Sequence, residues 1–406
     1  MSPVRSSLLA FMLAGLVACS SLPPEKPASP PETPAEPPVA EVPPSAAAGG
    51  VTPEKAPPVT NPALRPSSFS ALPGWGADDQ GEAWPAFLSS CAAISKRSGW
   101  QAPCAQAQSL GKRPAAQEAR QFFETYFRPY QVINPDGSSD GLVTGYYEPL
   151  LHGARKRGGR YQTPLHRAPD DLLAIDISSA YPELKGQQLR GRLVGSKVVA
   201  YPPRAELLQS KALIGTEILW VDDPVGAFFL QVQGSGRVQL ADSGEMVRVA
   251  YANQNGWPYK SIGRYLIDKG ELRLDQASMQ GIKAWVAAHP AREQELLNVN
   301  PRYVFFKEEK IDDPSVGPKG ALGVPLTPQR SIAVDPQFIP LGAPVYLATT
   351  QPNSAAASRH LMLAQDTGSA IKGAVRADYF FGFGDQAGNQ AGKMKQRGAM
   401  WVLLPK

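Results

Sequence analysis

Among the aspartates of the last hundred residues, two stand at the ends of apolar runs and a third lies inside one. Asp335 closes Ser-Ile-Ala-Val-Asp, Asp366 closes His-Leu-Met-Leu-Ala-Gln-Asp, and Asp378 lies in Val-Arg-Ala-Asp-Tyr-Phe. An alternating strand that ends in a carboxylate delivers it to the mouth of a sheet. Between Asp366 and Asp378 the run Thr-Gly-Ser-Ala-Ile-Lys-Gly reads as a tight turn carrying Lys372. Asp378 is followed by Tyr379, Phe380 and Phe381. Apolar neighbours disfavour the charged carboxylate and raise its pKa, and a second carboxylate nearby raises it further. The chemistry this permits is general acid catalysis. The same pattern also serves as turn chemistry, because Asp at a strand end commonly accepts from turn N–H groups.

Other motifs offer less. Gly382-Phe383-Gly384 followed by Gly388 has GxGxxxG spacing and no βαβ unit after it, so it is not a dinucleotide loop. Ser235 in Gln-Gly-Ser-Gly lacks the GxSxG elbow and a nearby His, which argues against a serine nucleophile. Four scattered His and three Cys show no metal-ligand spacing, so neither metal nor cofactor is expected. Tyr146 and Tyr147 offer faces for sugar rings, or belong to the core. Gln231, Gln233, Ser235 and Arg237 alternate along an expected strand, giving one polar face that suits hydroxyl-rich ligands or solvent equally. The expected substrate-binding set is Tyr146, Tyr147, Gln231, Gln233, Ser235, Lys307 and Lys372.

The elements that must position these groups read as mostly β. Helices are expected over 83–96 and 114–129, the second with Phe122, Phe123, Tyr126 and Phe127 at helical spacing before Pro129 stops it. Short β runs divided by Gly and Pro follow from Val143, including the whole of 218–240. Residues 261–299 turn helical, and 303–404 return to β. That order suits barrels and not alternating βαβ units.

The N-terminus carries other information. Arg5, an apolar stretch from Leu8 to Val17 and Leu-Val-Ala-Cys at 16–19 fit a bacterial lipoprotein signal over 1–18, with Cys19 lipidated. The chain has 41 prolines, and about fifteen of them fall in residues 22–66, where aromatics are absent. Residues 19–70 therefore read as a lipidated Cys and an extended tether. Lys and Arg number 41 against 36 Asp and Glu, and the surplus is not gathered into runs, which excludes a nucleic-acid binder. A 19% charged and 43% hydrophobic chain is neither wholly disordered nor a multi-span membrane protein. Cys91 and Cys104, in an exported chain, are expected to pair.

Thr-Gly-Tyr-Tyr-Glu-Pro (144–149), FFLQVQGSGRV (228–238), YANQNGWPYKSIGRYLIDKGEL (251–272), the run 323–347 and the run 365–403 together resemble the membrane-bound lytic murein transglycosylase A family. The last run looks like that family's three-aspartate segment. The resemblance implies a double-psi β-barrel built from residues 71–149 and 306–406, with a smaller β-barrel domain inserted over 150–305. It implies one catalytic aspartate, Asp378, supported by Asp366, acting on peptidoglycan glycan strands without water to leave 1,6-anhydro ends, in an exolytic manner. It further implies a monomer on the periplasmic face of the outer membrane, held there by its lipid, with cell-wall synthesis complexes as partners. Two rival readings stay open at this point: an inverting hydrolase with Asp366 as base, and a non-catalytic wall-binding lipoprotein.

Overall fold

The computed structural model describes residues 61–406 apart from 185, 186, 188, 312 and 369, and only the backbone of Asp275. The signal, Cys19 and most of the tether lie outside the described residues. The chain is folded by residue 64, earlier than the expected end of the tether at 70. Leu64–Pro66 forms a strand antiparallel to Phe127–Val132.

Six strands pair in a ring: Asp140–Glu148, Lys395–Pro405, Pro344–Thr350, Ala357–Asp366, Ser331–Val334 and Arg376–Phe383, the last returning to the first. Lys395–Pro405 is long enough to pair with three neighbours, and this closes the ring. Both faces of these strands are covered by apolar groups: Val345, Leu347, Ala364 and Val402 on one face and Leu361, Leu363 and Leu403 on the other are fully buried. Against it packs a helical cap. Trp84–Ile94, started by Pro85, and the amphipathic Ala116–Tyr126 bring Trp84, Phe87, Phe122 and Phe123 together with Phe127, which opens the next strand where the helix was expected to run on to Pro129. A third helix, Gln101–Ser109, was not expected. Cys104 on it is bonded to Cys91, with Cα atoms 5.4 Å apart. Closing a loop of this size stabilises by about 3 kcal/mol.

The second sheet runs in the order Val304–Lys310, Met246–Gln254, Ser235–Leu240, Leu150–Ala154, Glu217–Val221, Thr163–His166. It includes residues up to Lys310, so the barrel resumes later than the expected 306. A three-stranded sheet of Leu173–Ile175, Leu189–Val194 and Lys197–Ala200 completes this part. Helices Ile262–Asp268, Met279–Ala288 and Glu293–Asn298 fill the expected helical stretch.

One expected strand is a helix. Pro224–Gln233 is helical, with Asp223 accepting from the Gly226 N–H at 2.8 Å and Gly234 ending it at φ +85. Asp-Pro at a start and Gly at an end are helix punctuation, and they outweigh the β propensity of the Phe and Val between them. Gln231 and Gln233 are therefore not on one strand face with Ser235 and Arg237, which begin the next strand.

The two sheets are joined by continuous chain at Glu148, whose carboxylate is fully buried between Arg237 (Nε to Oε2, 2.8 Å) and Arg248 (Nε to Oε1, 2.5 Å). Both guanidinium groups also donate to the carbonyl of Val316. The pair fixes the segment after the inserted sheet to the end of the first barrel strand.

Candidate active site

The site is built on two parallel strands, Asp140–Glu148 and Arg376–Phe383. Their register sets Leu142 beside Arg376, Thr144 beside Asp378, and Tyr146 beside Phe380. Side chains two apart share a face, so these six residues form one wall. The alternate residues Val143, Ala377 and Tyr379 are buried in the barrel. Gly145 permits the arrangement: a Cβ there would lie 2.6 Å from the Phe381 ring and 2.9 Å from the Ala391 Cα.

Asp378 stands in the middle of the wall, half-buried. The Thr144 hydroxyl donates to its Oδ1 at 2.5 Å. Arg376 Nη2 donates to the same Thr144 oxygen at 2.8 Å, so the Thr144 proton is directed at Asp378. Burial drives the Asp378 carboxyl up to about 6; the Thr144 bond and the Arg376 charge pull it down, and the Asp366 charge pushes it up.

Asp366 ends its barrel strand and meets the same wall. Its Oδ2 accepts from the Tyr146 hydroxyl at 3.0 Å, and its Oδ1 accepts from the N–H groups of Ala321 and Thr367, both at 2.9 Å. Burial raises this carboxyl as well, against the pull of those three donors. Tyr146 packs on Phe380 with ring centroids 5.2 Å apart. Burial and the two nearby carboxylates raise its hydroxyl, so it stays a donor.

Asp335 has a different task. It is buried, and its carboxylate accepts from the N–H groups of Gln337 at 3.2 Å and Gly373 at 3.0 Å. It anchors the Lys372–Gly373 turn, the turn chemistry that the sequence left open.

Of the expected site residues, the structure gathers Asp378, Asp366 and Tyr146. Lys372 lies further along, exposed, at a cavity it shares with Arg376. Tyr147 points the other way: it is buried against Ala387 and Ala391, and its hydroxyl reaches the Met279 sulfur at 3.3 Å. Gln231 accepts from Arg204 at 2.6 Å and from the Val304 N–H at 3.2 Å, and Gln233 accepts from the Tyr147 N–H at 3.1 Å. Both are structural fasteners. Ser235 is half-buried opposite Ala250, and exposed Lys307 pairs with Glu309 at 2.8 Å. Among the described residues no hydrogen bond joins any of these to either aspartate. Sequence reasoning gave no role to Thr144 or Arg376. The signal was available: Thr144 and Tyr146 alternate in one strand, as Arg376 and Asp378 do in the other. No group of three or more His, Cys, Asp or Glu assembles into a metal site among the described residues.

An acidic pair on a β-barrel beside an inserted sheet is an arrangement able to do acid–base chemistry, and comparison with known proteins gives its class, the lytic transglycosylases. Residues 142–307 match the MltA specific insert domain, and residues 330–404 match the 3D domain. The membrane-bound lytic murein transglycosylase A of Vibrio cholerae is 37% identical over 281 residues, 67% of this chain and 68% of that one. MltA from Neisseria gonorrhoeae, 41% identical, superposes with a TM-score of 0.74 over 84% of this chain and 92% of that chain. Escherichia coli MltA with bound chitohexaose, 28% identical, gives 0.62 over 84% and 93%. The chain belongs to the membrane-bound lytic murein transglycosylase A family and is a peptidoglycan lytic transglycosylase.

Proposed function

We propose that Asp378 is the single acid and base of this reaction, and that Asp366 supports it. The observation that carries this is the unequal setting of the two carboxylates. Asp366 is engaged by three donors. Asp378 accepts from one hydroxyl and is raised to about 6, near the pH at which a general acid must still hold its proton.

Protonated Asp378 donates to the glycosidic oxygen as the bond from C1 of N-acetylmuramic acid to that oxygen breaks. The resulting carboxylate takes the proton of the C6 hydroxyl of the same sugar, and O6 closes on C1. One bond breaks, one forms, the proton returns to Asp378, and no water enters. The nucleophile is intramolecular, so the second carboxylate an ordinary glycosidase needs is dispensable. Asp366 lends negative charge to the oxocarbenium-like state and fixes the Tyr146 hydroxyl. An inverting hydrolase would need Asp366 free to activate water, and its three donors leave it poorly placed for that.

The glycan strand is taken along the wall of Thr144, Tyr146 and Asp378, in keeping with the chitohexaose bound to the Escherichia coli protein. Lipidation at Cys19 and an outer-membrane address complete the reading. Its support is the Leu-Val-Ala-Cys run and the membrane-bound relatives, and among the described residues no helix is long and apolar enough to cross a membrane.

Digestion of purified sacculi by the wild type and by Asp378→Asn tests the assignment. Anhydro-muropeptides, lighter by one water than reducing ends, are expected from the wild type. The variant is expected to lose a factor on the order of 10³ or more. Near-normal turnover by Asp378→Asn would remove Asp378 from this role.

A further inference from the structure

The wall that carries Asp378 continues one step toward the start of both strands and opens into a cavity of about 420 Å³. Leu142 and Arg376 form the shared edge, and exposed Lys372 also lines the cavity. One ladder step of two residues is about 6.6 Å, roughly the length of one sugar.

The charges around this cavity are unevenly committed. Asp140 is held by Arg397, whose Nε donates to it at 2.6 Å. Asp136 is turned onto its own loop, accepting from the N–H and hydroxyl of Ser138 at 2.9 and 2.7 Å. Among the described residues Arg376 binds a hydroxyl and backbone carbonyls and lies within ion-pair distance of no carboxylate, although its charge is felt at Asp378, and Lys372 has no carboxylate partner. Three cations, Lys372, Arg376 and Arg397, line the cavity against two carboxylates, Asp136 and Asp140; Arg397 matches Asp140, and Asp136 keeps its charge but spends its acceptors on its own loop, so the lining carries a net charge of about +1.

We infer that this cavity is a subsite for a carboxylate on the peptide stem of the muramic acid residue bound at Asp378. The chemistry fits the position. In peptidoglycan the stem hangs from the lactyl ether of that sugar and carries free carboxylates. A groove that sets the C1 of muramic acid at Asp378 brings the stem within a sugar's length of the acid. Lys372 and Arg376 then recognise charge that a bare glycan lacks, as charge-assisted hydrogen bonds do elsewhere. The enzyme therefore prefers stem-bearing strands. This rests on Asp378 marking the cleavage point.

The test compares glycan strands bearing tetrapeptide stems with the same strands stripped by an amidase, cut by the wild type, Lys372→Gln and Lys372→Glu. The readout is the ratio of kcat/KM on stemmed strands to that on bare strands. The wild type should favour stemmed strands. The ratio should fall about tenfold in Lys372→Glu and less in Lys372→Gln. Raised ionic strength should lower the wild-type ratio as well. Equal kcat/KM on both substrates by the wild type, or a ratio unmoved by either variant, would overturn the subsite. Failure of the acid assignment looks different: Asp378→Asn would then keep cutting both substrates, whatever the ratio does.

Discussion

Asp78 and Asp378 are both carboxylates packed into the barrel with an arginine near, yet they sit on opposite sides of the ordinary carboxyl value. Burial pushes each upward. At Asp78 this is outweighed by His360, by Arg330, whose Nη1 lies 3.1 and 3.3 Å from the two carboxylate oxygens, and by the Leu361 N–H at 2.7 Å, so the group is held low. At Asp378 the arginine stands one hydroxyl back. Arg376 reaches Thr144, and among the described residues Thr144 alone hydrogen-bonds the acid. Burial wins there, and the carboxyl rises to about 6. The difference is a matter of contact order: a cation in direct contact neutralises a buried acid for structure, and a cation behind a hydroxyl leaves the acid able to hold a proton.

The largest effect that tests this contrast is at the structural end. Arg330→Met leaves Asp78 buried without its ion pair, which should cost about 3–5 kcal/mol in urea unfolding at pH 7. The pH dependence has a definite sign. Asp78 is depressed in the fold, so its contribution is complete above about pH 4 and is lost as pH falls through its lowered value. A loss under about 1 kcal/mol at pH 7 would show that the pair behaves like an exposed one, and the contrast would fail.

Asp378 predicts the reverse. A carboxyl raised in the fold contributes stability below its unfolded value, and that contribution is lost as pH rises through about 6. Above that pH the fold carries a poorly compensated charge. Asp378→Asn should therefore stabilise the protein by about 1–2 kcal/mol at pH 8, and the gain should vanish below about pH 4. Thermal unfolding across that range reads it out. A variant no more stable than wild type at pH 8 would mean that Asp378 is as well satisfied as Asp78.

How much of this was legible in the chain depends on whether a feature is local. The strands that carry Asp335 and Asp366 at their ends and Asp378 within follow from period-two alternation, and the aromatic helix from period 3.6, although it stops at Tyr126 and the expected last turn, Phe127 to Pro129, is the start of a strand. The helix Pro224–Gln233 was misread because Phe228, Phe229 and Val232 favour strands, while the stronger signals were Asp223-Pro224 and Gly234 at its ends. With that error went the supposed row of Gln231, Gln233 and Ser235. The coupling of Thr144 to Asp378 spans 234 positions, and register between parallel strands is set by packing that no local pattern encodes. Asp335 was visible as a carboxylate, but only the fold shows that it serves the Gly373 turn.

The smallest effect is also the most discriminating, because it acts on the acid through its neighbours. Thr144→Val removes a donor to Asp378, and Arg376→Met removes the charge behind that donor. Both remove something that lowers the carboxyl, so both should move the falling limb of the kcat/KM–pH profile from about 6 upward, by less than about one pH unit. Asp366→Asn removes a charge that raises it, so the limb should move down. Thr144→Ser keeps the hydroxyl and should restore the wild-type limb. Variants that merely loosen the wall would lower the rate at every pH and leave the limb in place. If Thr144→Val and Asp366→Asn shift it in the same direction, the Arg376–Thr144 relay is not what separates Asp378 from Asp78.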